Sequence, residues 1–110
     1  MTEFEFEREH YRVVYPEAAR PRLIGGGLER DVIDLCEEGL RYRPADAEVR
    51  AIGDVIDGFV RLRRGAEVGV AGTVVRVDER EIALHLTVGI PLRVVLEEQR
   101  YLREHRRASP

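Results

Sequence analysis

Lysine is missing from this chain of 110 residues, and all 18 of its cationic side chains are arginine. That excludes a P-loop lysine, a Schiff-base lysine and a lysine general base in one stroke. Aromatic residues make up only 6% of the chain, too few for the stacking platforms on which single-stranded RNA binding rests. A single cysteine, Cys36, closes no internal disulfide, and beside the scattered His10, His85 and His105 it offers no zinc-like spacing. No metal site is expected. No apolar run approaches the roughly 20 residues of a membrane span, and the start, MTEFEFEREHYR, is charged where a secretory signal is apolar. A cytoplasmic protein without membrane insertion is the expectation. The net charge of −3 argues against DNA or RNA as partner, because that binding is driven by neutralising phosphates.

What is present suits one small domain with a single core. Arg22-Leu23-Ile24 and Leu28 to Leu35 read as strands joined by Gly25–Gly27, since glycine supplies the positive φ that tight turns need. A third strand, Gly39 to Arg43, stops at Pro44, and PADAEVRAI (44–52) reads as polar and irregular. Val55 to Arg63 alternates like a strand. EVGVAGTVVRV (67–77) and Glu81 to Leu86, separated by Asp78-Glu79-Arg80, form the clearest hairpin, and Gly69 and Gly72 mark bends or a bulge in it. Short strands at this spacing without intervening helices point to an antiparallel sandwich or barrel. After Gly89 the period changes: from Pro91, Leu92, Val95, Leu96, Gln99 and Leu102 fall three and four apart and predict a helix over 90–105 that docks this stripe on the sheet.

Two short stretches carry the candidate chemistry. Arg8 and Arg12 stand four apart in REHYR, and guanidinium forks bind phosphate oxygens bidentately and also read the O6/N7 edge of guanine. Asp34, Cys36 and Gly39 interrupt the strand pattern in DLCEEG with an acid, a thiol and a bare backbone. Taken singly, the arginines are solvated charges beside Glu5, Glu7 or Glu9, and Asp34 and Gly39 are turn residues. A nucleophilic Cys36 would need a base and an electropositive setting, but its neighbours are Asp34, Glu37 and Glu38. Enzymatic activity is not expected.

Taken together, Arg8-x-x-x-Arg12 followed by Asp34-x-Cys36-x-x-Gly39 resembles the PilZ domain, whose signature is RxxxR followed by [D/N]xSxxG. The likeness extends to Tyr15-Pro16, the DLCEEGLR block, Gly53-Asp54, the Val68 to Val77 strand and Glu98-Gln99-Arg100-Tyr101-Leu102 in the closing helix. It implies a mainly β domain over residues 1–110: an N-terminal segment 1–12 bearing RxxxR, a six-stranded antiparallel β-barrel over 13–88, and the C-terminal helix over 90–105. It also implies a bacterial second-messenger receptor, active in processes such as motility or biofilm formation, that binds cyclic di-GMP without a cofactor and signals through an effector protein as monomer or homodimer. By that resemblance Arg8 and Arg12 contact phosphates and guanine edges. Asp34 accepts from guanine N1–H and N2–H₂ or orients an arginine, residue 36 lies against the ligand, and Gly39 lets the backbone turn and approach. The departure is Cys36 where the family has serine, a weaker donor. The alternative is a PilZ-fold adaptor of type IV pilus or motility systems that binds no nucleotide.

Overall fold

A computed structural model of the chain describes residues 11–108, with side chains as far as residue 105. Its strands are β1 (Val13–Val14), β2 (Arg22–Gly25), β3 (Leu28–Leu35), β4 (Gly39–Tyr42), β5 (Val55–Arg61), β6 (Glu67–Val77) and β7 (Ile82–Val88), followed by one α-helix, α1 (Leu92–Ala108). A short 3-10 turn, Glu17–Ala19, links β1 to β2.

Every pairing is antiparallel, and the order β3-β2-β5-β6-β7-β4 returns from β4 to β3, so six strands close into a barrel with β1 as an extra strand. Closure depends on β3 serving three partners. Its first half pairs with β2, from Gly25↔Leu28 to Arg22↔Asp31, and its end pairs with β1 through Val13↔Leu35 and Val14↔Asp34 while β4 lies along the other edge.

The period of two is carried through the barrel. In β7, Ile82, Leu84 and Leu86 are buried with Ala83, His85 and Thr87 on the other face, and in β4 Leu40 and Tyr42 point inward with Gly39 and Arg41 outward. Such alternation fixes the register, because a slip of one residue would turn each apolar set into water. The β2–β3 turn is a two-residue loop in which Gly26 and Gly27 have φ of 59° and 78°, the left-handed pair that a tight hairpin demands. The β6–β7 register shifts twice: between Ala71 and Gly72, where the extra residue is Thr87 of β7 and a Cβ on Gly72 would lie 2.5 Å from the His85 carbonyl oxygen, and between Val74 and Arg76, where the extra residue is Val75 of β6. Gly72 thus marks the first irregularity, and the residue bulged out of β6 itself is Val75. Gly69 lies opposite Phe59 with open space over it.

Helix α1 runs to Ala108, and the carbonyl of Pro91 accepts from the amides of Val94 and Val95 to start it. Its docked stripe differs from the expected one. Val94, Val95 and Glu98 are buried and Leu102 packs against the core, whereas Leu92 and Leu96 are 37% and 41% exposed. The reason is an acid inside the seam: Glu98 accepts hydrogen bonds from the Tyr15 hydroxyl at 2.6 Å and from Arg64 Nε at 2.6 Å. Anchoring Glu98 rotates the helix away from the purely apolar stripe.

Candidate functional site

The DLCEEG stretch forms the β3–β4 connection. The Cys36 amide donates to the Gly39 carbonyl at 2.9 Å, the Glu38 carbonyl accepts from Leu86 N–H at 2.8 Å, and the Glu37 carbonyl accepts from Ile90 N–H at 2.9 Å. These bonds tie the turn on one side to β7 and on the other to the approach to α1. Leu35 points into the core; Asp34, on the side of β3 that meets Arg41, is itself buried beneath its arginine partners, and Glu37 and Glu38 are exposed.

Gly39 takes no left-handed conformation, so the turn does not require a glycine there. A Cβ on it would meet Cys36 Sγ at 3.5 Å and the Leu84 carbonyl oxygen at 3.6 Å, which are ordinary contacts. The first role expected of Gly39, turning the backbone, is thus not what the fold asks of it. What it does provide is bare backbone on the outer face, in register with the exposed His85 of β7.

The charges gather on Asp34. Arg41, directly opposite it on β4, donates Nε to Asp34 Oδ2 at 2.8 Å and adds a short second bond from Nη2. Arg12, one residue before β1, places Nε 3.6 Å from the same oxygen. Pairing of β1 with β3 at Val14↔Asp34 brings Arg12 there. Arg41 also reaches Glu81 through Nη1 at 3.3 Å, and Glu81 pairs with Arg76 at 3.3 Å. The result is a strip of alternating charge, Arg12–Asp34–Arg41–Glu81–Arg76, across the outside of the barrel. The hydrogen bond to Asp34 raises the Arg41 pKa further, so this guanidinium is a permanent cation.

The structure thus brings Arg12, Asp34, Cys36 and Gly39 to one outer face beside the β3–β4 turn. Arg8, and with it the other half of RxxxR, lies outside the described residues. Sequence reasoning missed Arg41, although the signal was present: it stands two residues after Gly39, and a period of two puts both on one face. Chemically, two guanidinium forks, a carboxylate and an uncovered backbone suit an anion that also offers an N–H pair. Among the described residues no group of histidine, cysteine and carboxylate side chains forms a metal site.

A second polar centre lies elsewhere, in the 44–52 segment read as merely irregular. Glu48 and Arg30 form an ion pair with side chains 2% and 1% exposed. Glu48 also accepts from Tyr42, Arg50 and the Ala45 amide. Burial works against its ionisation, but the hydrogen bonds from Arg30, Arg50, Ala45 and Tyr42 prevail and hold its pKa at about 2. A cavity of about 470 Å³ between this loop and the β6–β7 turn contains none of the expected site residues.

No protein-family model matches the chain, and no curated protein matches it in sequence. Likeness appears in solved structures. The Bacillus subtilis inhibitor of motility, MotI/DgrA, superposes with a TM-score of 0.65 at 13% identity over 90% of this chain and 50% of that one. An uncharacterized Legionella protein superposes with a TM-score of 0.58 at 12% identity over 87% of this chain and 97% of that one. This chain therefore spans about half the length of the motility inhibitor. At such identities the likeness concerns the fold, and with the closed six-stranded barrel it fits a PilZ-like fold. No helix among the described residues is long and apolar enough to cross a membrane.

Proposed function

We propose that the protein is a receptor for cyclic di-GMP that acts through a protein partner and has no catalytic activity. The observation that carries this reading is the convergence of Arg12, Asp34, Cys36 and Gly39, residues that match or stand in the RxxxR and [D/N]xSxxG signatures, beside the β3–β4 turn on the outside of a PilZ-like barrel. A dianionic ligand with two guanines matches arginine forks. The Asp34 carboxylate supplies selectivity that arginines alone lack, since it accepts from guanine N1–H and N2–H₂ or fixes the arginines that read O6 and N7. On binding, Arg8 and Arg12 close on the ligand from the segment before β1, and the surface so formed is what the partner reads. The likeness to an inhibitor of motility is in keeping with a regulatory role of this kind.

A reading without nucleotide has one observation in its favour. Cys36 replaces the signature serine, and a thiol is a poor hydrogen-bond donor. The two readings part in one experiment: isothermal titration of cyclic di-GMP into the wild-type protein and into Arg8→Ala/Arg12→Ala, with GTP as control. The receptor reading expects selective binding that the double variant loses. Absence of heat and of competition at high ligand concentration would leave the adaptor reading standing.

A further inference from the structure

Asp34 attracts more positive charge than one carboxylate neutralises. Its side chain is 4% exposed and its Oδ2 receives Arg41 in two hydrogen bonds and Arg12 in an ion pair at 3.6 Å. Among the described residues Arg12 has no second partner, while Arg41 spans two acids, holding Asp34 through Nε and Nη2 and Glu81 through Nη1 at 3.3 Å. The residues around Arg41 on the outer face are small: Gly39 two residues before it and Ala83 directly opposite on β7. A long guanidinium side chain thus lies, partly exposed, beside the bare backbone of Gly39 and within reach of the ligand face.

We propose that Arg41 is a third ligand arginine of this site, held by Asp34 and restrained by Glu81. The inference rests on the cyclic di-GMP reading and extends it to a residue outside both signatures. The bonds from Nε and Nη2 to Asp34 orient the guanidinium plane. The Nη1 edge, parked on Glu81, is the part that transfers to a phosphate oxygen or to a guanine O6/N7 edge. Glu81 and the anion therefore compete for one donor. Arg76, already paired with Glu81 at 3.3 Å, compensates the acid when Arg41 leaves.

Competition predicts effects of opposite sign at the two ends of one ion pair. Loss of a charged hydrogen bond corresponds to a fall in affinity of about tenfold to a hundredfold, expected for Arg41→Ala. Glu81→Gln frees Nη1 and should tighten binding about two- to fivefold, the scale of a partly exposed ion pair. The test is calorimetric titration of cyclic di-GMP into the wild type, Arg41→Ala, Glu81→Gln and the double variant, with circular dichroism to verify that each is folded. The proposal expects the Glu81→Gln gain to vanish once Arg41 is alanine. If that gain persists without Arg41, Glu81 acts only as a repelling charge and the proposal is wrong. It is equally wrong if Arg41→Ala binds like the wild type. Should Arg41→Ala not fold, Arg41→Lys, which keeps the charge but loses the fork, takes its place with the same expected loss. A wild type that binds no cyclic di-GMP overturns the receptor reading itself.

Discussion

Replacing Glu48 by glutamine tests whether a buried acid in a segment without regular structure holds the barrel together. The change is nearly isosteric, yet it removes the acid that, among the described residues, pairs with Arg30, whose side chain is 1% exposed. Breaking one partner of a buried pair costs about 3–5 kcal/mol, because the survivor stays buried and uncompensated. Linkage gives a figure of the same order. A carboxylate held at about 2 against an ordinary 4.5 corresponds to on the order of 3 kcal/mol of differential stabilisation. The sign follows from a folded pKa below the unfolded one: this stability is fully present above about pH 4.5 and is lost as pH falls toward 2. For a domain of this size, Glu48→Gln should lower Tm at pH 7 by roughly 12–20 °C. It should also flatten the acid limb, so that wild type and variant converge near pH 2. Urea unfolding followed by circular dichroism from pH 7 to pH 2.5 reads both. A loss below about 1 kcal/mol at neutral pH, or an unchanged acid limb, would refute the assignment of Glu48 as the charged centre of this cluster.

Two further outcomes are expected. Cys36→Ser supplies a good donor without disturbing the turn, whose bond from residue 36 is made by the backbone amide. It should tighten cyclic di-GMP binding by a factor of a few to about ten, and unchanged or weaker binding by calorimetry would mean that residue 36 does not donate to the ligand. Tyr15→Phe leaves the buried Glu98 with Arg64 as its remaining partner and should cost about 1.5–3 kcal/mol in chemical denaturation, whereas a neutral result would mean that the helix is held by its apolar contacts alone.

The elements legible in the sequence are those whose cause is local. The Gly26-Gly27 hairpin and the alternation of β7 follow from φ requirements and a period of two, and both are visible within a dozen residues. Asp34 and Gly39 could be picked out because they break that period. Glu48 and Glu98 could not, because what makes each tolerable in the interior is far away along the chain: Arg30, which precedes Glu48 by 18 residues, and Arg64, which precedes Glu98 by 34. A periodicity argument puts every acid in water. It therefore set the α1 stripe on Leu92 and Leu96, and it left residues 44–52 as a polar loop when that loop delivers the partner of a buried arginine. Arg41 was missed for a different reason, since its pairing with Asp34 depends on the β3–β4 register and not on either signature.

The same contacts determine how a signal at the site would travel. Arg12 is followed at once by β1, the end strand of the sheet, which is tied to β3, where the Tyr15 amide donates to the Ile33 carbonyl at 3.0 Å, and to α1, where the Tyr15 hydroxyl ends on Glu98. Tyr15 is buried, and burial together with the bond to Glu98 raises its pKa far above the ordinary phenol range, so this link is a neutral hydroxyl donating to an acid at physiological pH. Rearrangement of Arg12 therefore takes place against a fixed point. Under the proposed reading, a ligand that draws Arg12 or Arg41 from Asp34 changes the charge pattern of the outer face over β1, β3 and β4, and the Arg41–Glu81 pair extends that change toward the β6–β7 hairpin.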